Sequence, residues 1–273
     1  MGVEHASPGM ILIMVILAIP LFYFINRARK GQSLFVRKIA GIDAINQAVG
    51  RAAEMGRPVS FSTGLTSVSP TLYAVLGVLF HVTKKCAIYK NKLLLPQNSP
   101  EVMAIAESVM KDGYRVEGRL SEFDPSNIIY LSDEQFAYAS GYMGMVHREN
   151  VASAFLFGYF AAESLILAEA GQQVGALQVA GSVSPEQVPF FITACDYTLI
   201  GEELYAAAAY LTREPVQMGS LMAQDRAKIV IFVMILLGVS IATLKVFFPE
   251  VNWLDINQLI RMPWEEVMGM EAA

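Results

Sequence analysis

The stretch ACDYTLIGEELYAAAAYL, residues 194–211, holds Asp196, Glu202 and Glu203 inside a run otherwise apolar enough to be buried. Carboxylates there can ligate Mg²⁺ or Ca²⁺ through oxygen, or act as a general base. They can equally be first-turn acids that favour the positive end of a helix. Asp133, Glu134, Glu163 and Glu186 stand at comparable places, each after a strand-like run. A second feature is the hydroxyl-rich turn SFSTGLTSVSP, residues 60–70. Ser62, Thr63, Gly64, Thr66 and Ser67 in it are able to donate to an anion at the following helix N-terminus, or simply to cap the loop. The turn is not GxGxxG and lacks the GK[ST] ending of a phosphate loop, and ASGYMG at 139–144 is no dinucleotide fingerprint either. No motif names a cofactor.

The remaining reactive residues are sparse. Cys86 and Cys195 have no CxxC or Cys/His spacing, which reads as buried reduced thiols. His5, His81 and His147 form no set with Ser or Cys. His81 comes late in a helical run beside Lys84 and Lys85, where positive charge suits the helix dipole.

Short strand-like runs alternate with helical ones around these residues. Strands are expected at 59–62, 86–90, 127–132, 153–159, 176–181 and 189–195, and helices at about 69–84, 100–113, 133–147, 161–173 and 198–213. Ser69-Pro70, Ser99-Pro100 and Ser184-Pro185 each put an N-cap hydroxyl before a proline suited to the first helical position. Ser132 with Gln135, and Ser184 with Gln187, fit a capping box. Upstream, Phe35, Ile39, Ile42, Ile45, Val49 and Ala52 make one helical stripe, closed by Gly56 and Pro58. The βα alternation predicts an α/β fold, a Rossmann-like domain with a mainly parallel sheet buried on both faces. On this arrangement Asp196, Asp133, Glu163 and Glu186 would share the carboxyl rim, where open α/β sheets place their ligand crevice.

Composition sets the surroundings. Hydrophobic residues make up 54% and charged residues 16%, apolar for a soluble domain of ordinary kind. A net charge of −5 without a basic stripe argues against nucleic acid as a partner. Residues 9–26 and 229–244 carry no charge and, with their flanks, suit the ~30 Å hydrocarbon layer. Basic residues 27, 29, 30, 37 and 38 follow the first span, and Arg213, Arg226 and Lys228 lie before the second. The positive-inside rule then predicts a multi-pass cell-membrane protein with both termini outside and the middle cytoplasmic. The expected organisation is a span at 9–26, a cytoplasmic domain over 31–225, a span at 227–248, and an interfacial amphipathic tail at 249–273 carrying Trp253 and Trp264. A four-span topology using 151–169 and 188–211 is disfavoured, because each central acid costs ~2.5 kcal/mol or more on insertion.

The region from GIDAINQAVGRAAEMGRPVSF through ACDYTLIGEELYAAAAYLTREP, with SDEQFAYASG between, resembles a family of uncharacterised prokaryotic membrane proteins, a domain of unknown function. The resemblance covers roughly residues 40–240 and implies a two-span protein with one intervening domain; it transfers no activity.

The helices YAAAAYL and AFLFGYFAAESLILAEA leave little polar face for water, so contact between copies is the expected sink for apolar surface. The leading functional expectation is therefore a membrane-anchored homo-oligomeric scaffold, partnered by the bilayer, its own copies, and other membrane or cytoplasmic proteins. The alternative is a membrane-tethered enzyme or sensor. It would take a small anionic ligand or a divalent metal through Ser62, Thr63, Gly64, Asp133, Glu163, Asp196 and Glu202.

Overall fold

A computed structural model describes residues 8–31 and 40–247. The chain divides into two compact units, one of Val36–Arg213 and one of Met1–Phe35 with Glu214–Ala273. Among the described residues the second holds α1 (Pro8–Arg29) and α9 (Pro215–Phe247). The first runs α2 (Ala40–Met55), β1 (Val59–Gly64), α3 (Pro70–Tyr89), β2 (Leu93–Gln97), α4 (Pro100–Val116) and β3 (Ile128–Tyr130). It continues α5 (Gln135–Glu149), β4 (Ser153–Tyr159), α6 (Ser164–Gln173), β5 (Leu177–Ser182), α7 (Val188–Ala194), β6 (Tyr197–Ile200) and α8 (Glu203–Thr212).

The six strands form one parallel sheet in the order β3-β2-β1-β4-β5-β6. The chain winds outward from β1 in one direction, returns, and winds outward from β4 in the other. That is the order of a doubly wound Rossmann-type sheet, with its topological switch between β1 and β4.

Both faces are covered, and the two-residue period of a strand shows how. Val59, Phe61, Phe155, Phe157 and Val179 join one core with residues of α2, α3, α4 and α8. Leu156 and Ala180, one step out of phase, join the other core with residues of α5, α6 and α7. The α2 stripe is confirmed where it can be seen, since Ile42, Ile45, Val49 and Ala52 are buried in the first core; Phe35 and Ile39 lie outside the described residues. Arg57 ties the amino edge together. Its guanidinium donates to Asn150 O (2.6 Å), Asn150 Oδ1 (2.6 Å), Val151 O (3.0 Å) and Val174 O (3.1 Å), so it holds carbonyls at the ends of α5 and α6.

Two expected strands are corrected. Residues 86–90 continue α3, burying Cys86 and Ala87, and the helix stops only at Lys90 with φ +57°; the strand follows as Leu93–Gln97. Residues 189–195 form α7 up to Ala194, with a proline in its first turn and Val188 and Phe191 buried three apart. The last strand is Tyr197–Ile200, and the following helix begins at Glu203 rather than 198. Cap chemistry was also partly different. Ser69 caps α3 through Leu72 N, whereas the Ser99 hydroxyl makes no cap bond. Ser132 Oγ accepts from Glu134 N and Ser184 Oγ donates to Glu186, so neither forms the expected box.

Pro70–Tyr89 and Pro215–Leu244 are both long and apolar enough to cross a membrane. Half of α3 is buried inside the α/β unit, which makes it a core helix; in α9 Gly219 and Ala223 are buried near its start, whereas its most apolar stretch has no buried residue. The expected tail at 249–273 lies outside the described residues.

Candidate functional site

The carboxyl ends of β1 and β4 flank the switch point, where this strand order leaves room for a ligand. Polar side chains of β1 and α5 meet on the face of the sheet that leads up to it. Ser60 and Ser62, two apart on β1, face Tyr142 and Tyr138, four apart on α5. Two strand residues advance ~6.6 Å and four helical residues ~6 Å, so the two pairs fall in register. Ser62 Oγ and Tyr138 Oη lie 2.7 Å apart, and Ser60 Oγ and Tyr142 Oη 3.3 Å apart. Burial raises both phenols above the ordinary tyrosine range, and the serine hydrogen bonds offset that in part. Both phenols therefore stay protonated near neutral pH.

The two switch-point loops are also joined to one another. Leu65 N donates to Tyr159 O (2.9 Å), Tyr159 N donates to Thr66 Oγ1 (2.7 Å), and the Thr66 hydroxyl donates to Thr63 O. Two glycines permit this approach. A Cβ on Gly158 (φ +145°) would stand 2.3 Å from Thr63 O, and one on Gly64 (φ +60°) 2.4 Å from Tyr159 O.

The seven candidate residues fall into separate places. Ser62, Thr63 and Gly64 are buried; the Thr63 hydroxyl donates to Gln97 Oε1 at 3.0 Å, and Ser62 Oγ accepts from Gly64 N at 3.1 Å. Glu163 is fully buried at the end of β4, where it accepts from Gln135 Nε2 (2.6 Å) and Ala161 N (3.0 Å). Asp133 is exposed ahead of α5, and Glu202 is exposed at the start of α8. Asp196 precedes β6 instead of following a strand. Its Oδ2 accepts from Gln178 N at 2.7 Å, on the amino edge of the sheet. Only Ser62, Thr63, Gly64 and Glu163 thus share the switch point. Of the other acids, Glu203 accepts from Ile200 N and Glu186 from the Ser184 hydroxyl. Among the described residues no group of three or more His, Cys, Asp or Glu side chains is placed to hold a metal.

Reasoning from sequence missed Gln97, Gln135, Tyr138 and Tyr142. The tyrosine spacing of four against the serine spacing of two was the available signal. Gln97 is wholly buried and its Nε2 has no partner, as is also true of Asn98 Oδ1. The nucleophiles are quiet. Burial pushes the Cys86 thiol far up and Cys195 up to about 12, with Asp196 adding to the latter, so neither is a thiolate near neutrality. His81 is held down to about 4 by burial and by Lys85 and Lys84, so it is neutral rather than a cation at the helix end; its Nε2 lies 2.9 Å from Asn46 Oδ1. Two clefts lie on the amino edge. One of about 440 Å³ is lined by Arg51, Gln178, Cys195 and Asp196 among others, and one of about 290 Å³ is lined by Lys90, Asn91, Lys92 and Asp124 among others.

These features define a doubly wound parallel α/β protein whose switch-point hydroxyls are hydrogen-bonded within the protein. The chain belongs to the family described as Domain of unknown function (DUF6754), whose model matches residues 3–252. No curated protein and no solved structure matches it.

Proposed function

We propose that this protein is a membrane-anchored homo-oligomeric scaffold, with a cytoplasmic α/β domain inserted between two spanning helices and the termini outside. The observation that carries this reading is the inward use of the switch-point hydroxyls: those of Ser62, Thr63 and Thr66 bond to Tyr138, Gln97 and backbone. The apolar stretch within Pro215–Leu244, none of it buried, supports the anchor, and the basic residues flanking the apolar runs support the orientation. Partners are the bilayer, further copies, and other membrane or cytoplasmic proteins. The mass of the detergent-solubilised particle tests it; a multi-copy particle is expected, and a single-copy particle refutes it.

A second reading is a membrane-tethered sensor or enzyme taking a small anionic ligand or divalent metal near Glu163. The unpartnered Gln97 Nε2 and the fully buried Glu163 carboxylate favour it. Thermal shifts with Mg²⁺, Ca²⁺ and inorganic phosphate, compared between parent and Glu163→Gln, test it. Equal responses, or none, remove it.

A further inference from the structure

In the smaller cleft on the amino edge of the sheet, about 290 Å³, every lining residue carries a polar group. Lys90 and Lys92 bring ammonium groups to it, and Glu122 and Asp124 bring carboxylates. Tyr114 adds a phenol and Asn91 an amide. Local backbone chemistry fixes where the first three stand. Lys90 ends α3 at φ +57°, and its N–H and that of Asn91 return to Ala87 O and Cys86 O. Lys92 O then accepts from Val59 N (2.9 Å) as β2 begins. The segment is pinned at both ends, which holds Asn91 in the wall at 9% exposure.

Asn91 is the residue that points to a ligand. Its Nδ2 is buried and has no hydrogen-bond partner in the protein. A buried donor left unmade costs stability, and this one belongs to a side chain that lines a polar cleft. The terminal torsion of asparagine is soft, so a small turn of the amide carries Nδ2 into the cleft. The groups around it are charged or able to donate. Hydrogen bonds with Ser126 and the charge of Lys92 hold Asp124 below the ordinary carboxylate range. Burial, with Cys86, Glu122 and Asp124, pushes the Tyr114 phenol up to about 12, so it keeps its proton near neutral pH. Lys90 Nζ stands 3.9 Å from Glu122 Oε1 and both side chains are exposed, a pairing too weak to keep either from a ligand. Lys92 is already joined to Glu149 at 2.8 Å.

A lone anion in this cleft would face Glu122, Asp124 and the negative end of α3. A lone cation would face Lys90 and Lys92. A molecule carrying both charges meets a partner for each. Tyr114 is 7% exposed and its ring packs on Phe123 (5.7 Å between centroids), so its face is closed to stacking ligands. We infer that the cleft binds a small polar zwitterion, an amino acid with a short or polar side chain. Its carboxylate lies against Asn91 Nδ2 and Lys90, and its ammonium against Asp124 and Glu122. The site is on the edge of the sheet opposite Glu163. It is separate from both readings above and gives the α/β unit a small-molecule input whatever the copy number.

The test is isothermal titration of the full chain in detergent with each proteinogenic L-amino acid, and with acetate, methylamine and glycerol as partial mimics. At least one amino acid is expected to bind saturably with a Kd of about 1 mM or tighter, and the mimics at least ~10-fold more weakly. Asn91→Leu and Asp124→Asn are each expected to weaken that binding about 10-fold or more, as loss of one charge-assisted hydrogen bond does. Lys90→Gln, at an exposed side chain, takes the place of Asn91→Leu if the latter does not fold. Arg51→Gln, in the other amino-edge cleft, should leave the affinity unchanged. Absence of saturable binding by every amino acid overturns the inference and leaves water as the partner of Asn91. A mimic that binds as tightly as the best amino acid overturns the zwitterionic class. Full affinity in either cleft variant puts the ligand elsewhere and overturns the site.

Discussion

Arg57→Ala is the perturbation whose size follows most directly from the structure. The guanidinium reaches four acceptors at 2.6–3.1 Å, on Asn150, Val151 and Val174. Two of these contacts are exposed, so water replaces them at little net cost; two are part-buried, and a charge-assisted bond there is worth about 1–1.5 kcal/mol after screening. The expected loss is about 2–3 kcal/mol, a large share of the stability of a typical domain. For a chain of this size that is roughly a 4–12 °C fall in Tm, read by circular dichroism on the full-length protein in detergent. Arg57→Lys keeps the charge but not the fork, and it should fall between parent and alanine. Hydrogen exchange should rise first at the ends of α5 and α6, where the carbonyls lose their donor. A Tm for Arg57→Ala within about 1 °C of the parent would refute the reasoning.

Three further outcomes are expected. Gly158→Ala places a Cβ 2.3 Å from Thr63 O and Thr66 Oγ1 at φ +145°, and should cost on the order of 3 kcal/mol or more in chemical denaturation; Gly175→Ala, with φ +67° and nothing within 4 Å, should cost about 1 kcal/mol. A double-mutant cycle of Ser62→Ala and Tyr138→Phe should give a coupling of about 1 kcal/mol, and additive losses would contradict a bond between them. His81 falls from 6.5 to about 4 on folding, so between those values the unfolded chain binds the extra proton. Stability is then full above pH 6.5 and declines toward pH 4, by at most about 3 kcal/mol, and His81→Asn should flatten that decline in pH-dependent melts.

Much of the fold was legible because local chemistry and burial agreed. Residues 153–159 were expected as a strand and are one, since SAFLFGY is apolar on both faces of a doubly covered sheet. Ser69-Pro70 marked a true helix start for the same local reason. CAIYK and PFFITAC misled because residues of high β-propensity were carried into helices by tertiary packing: Cys86 and Ala87 complete the buried side of α3, and Val188 and Phe191 that of α7. The second error had a consequence for function. Moving the strand from 189–195 to Tyr197–Ile200 moves Asp196 from the end of one strand to the start of another, across the sheet from Glu163. The site was less legible than the fold because partners such as Tyr138 and Gln97 are distant in sequence from Ser62 and Thr63, and only the sheet order brings them together.

The central claim, an α/β domain that serves assembly in the membrane, meets its most direct test in the mass of the native particle released into lipid nanodiscs. With a chain of 29.9 kDa, the protein component should weigh a whole multiple of two or more. A protein mass of one chain, at membrane-like density of protein, would contradict it.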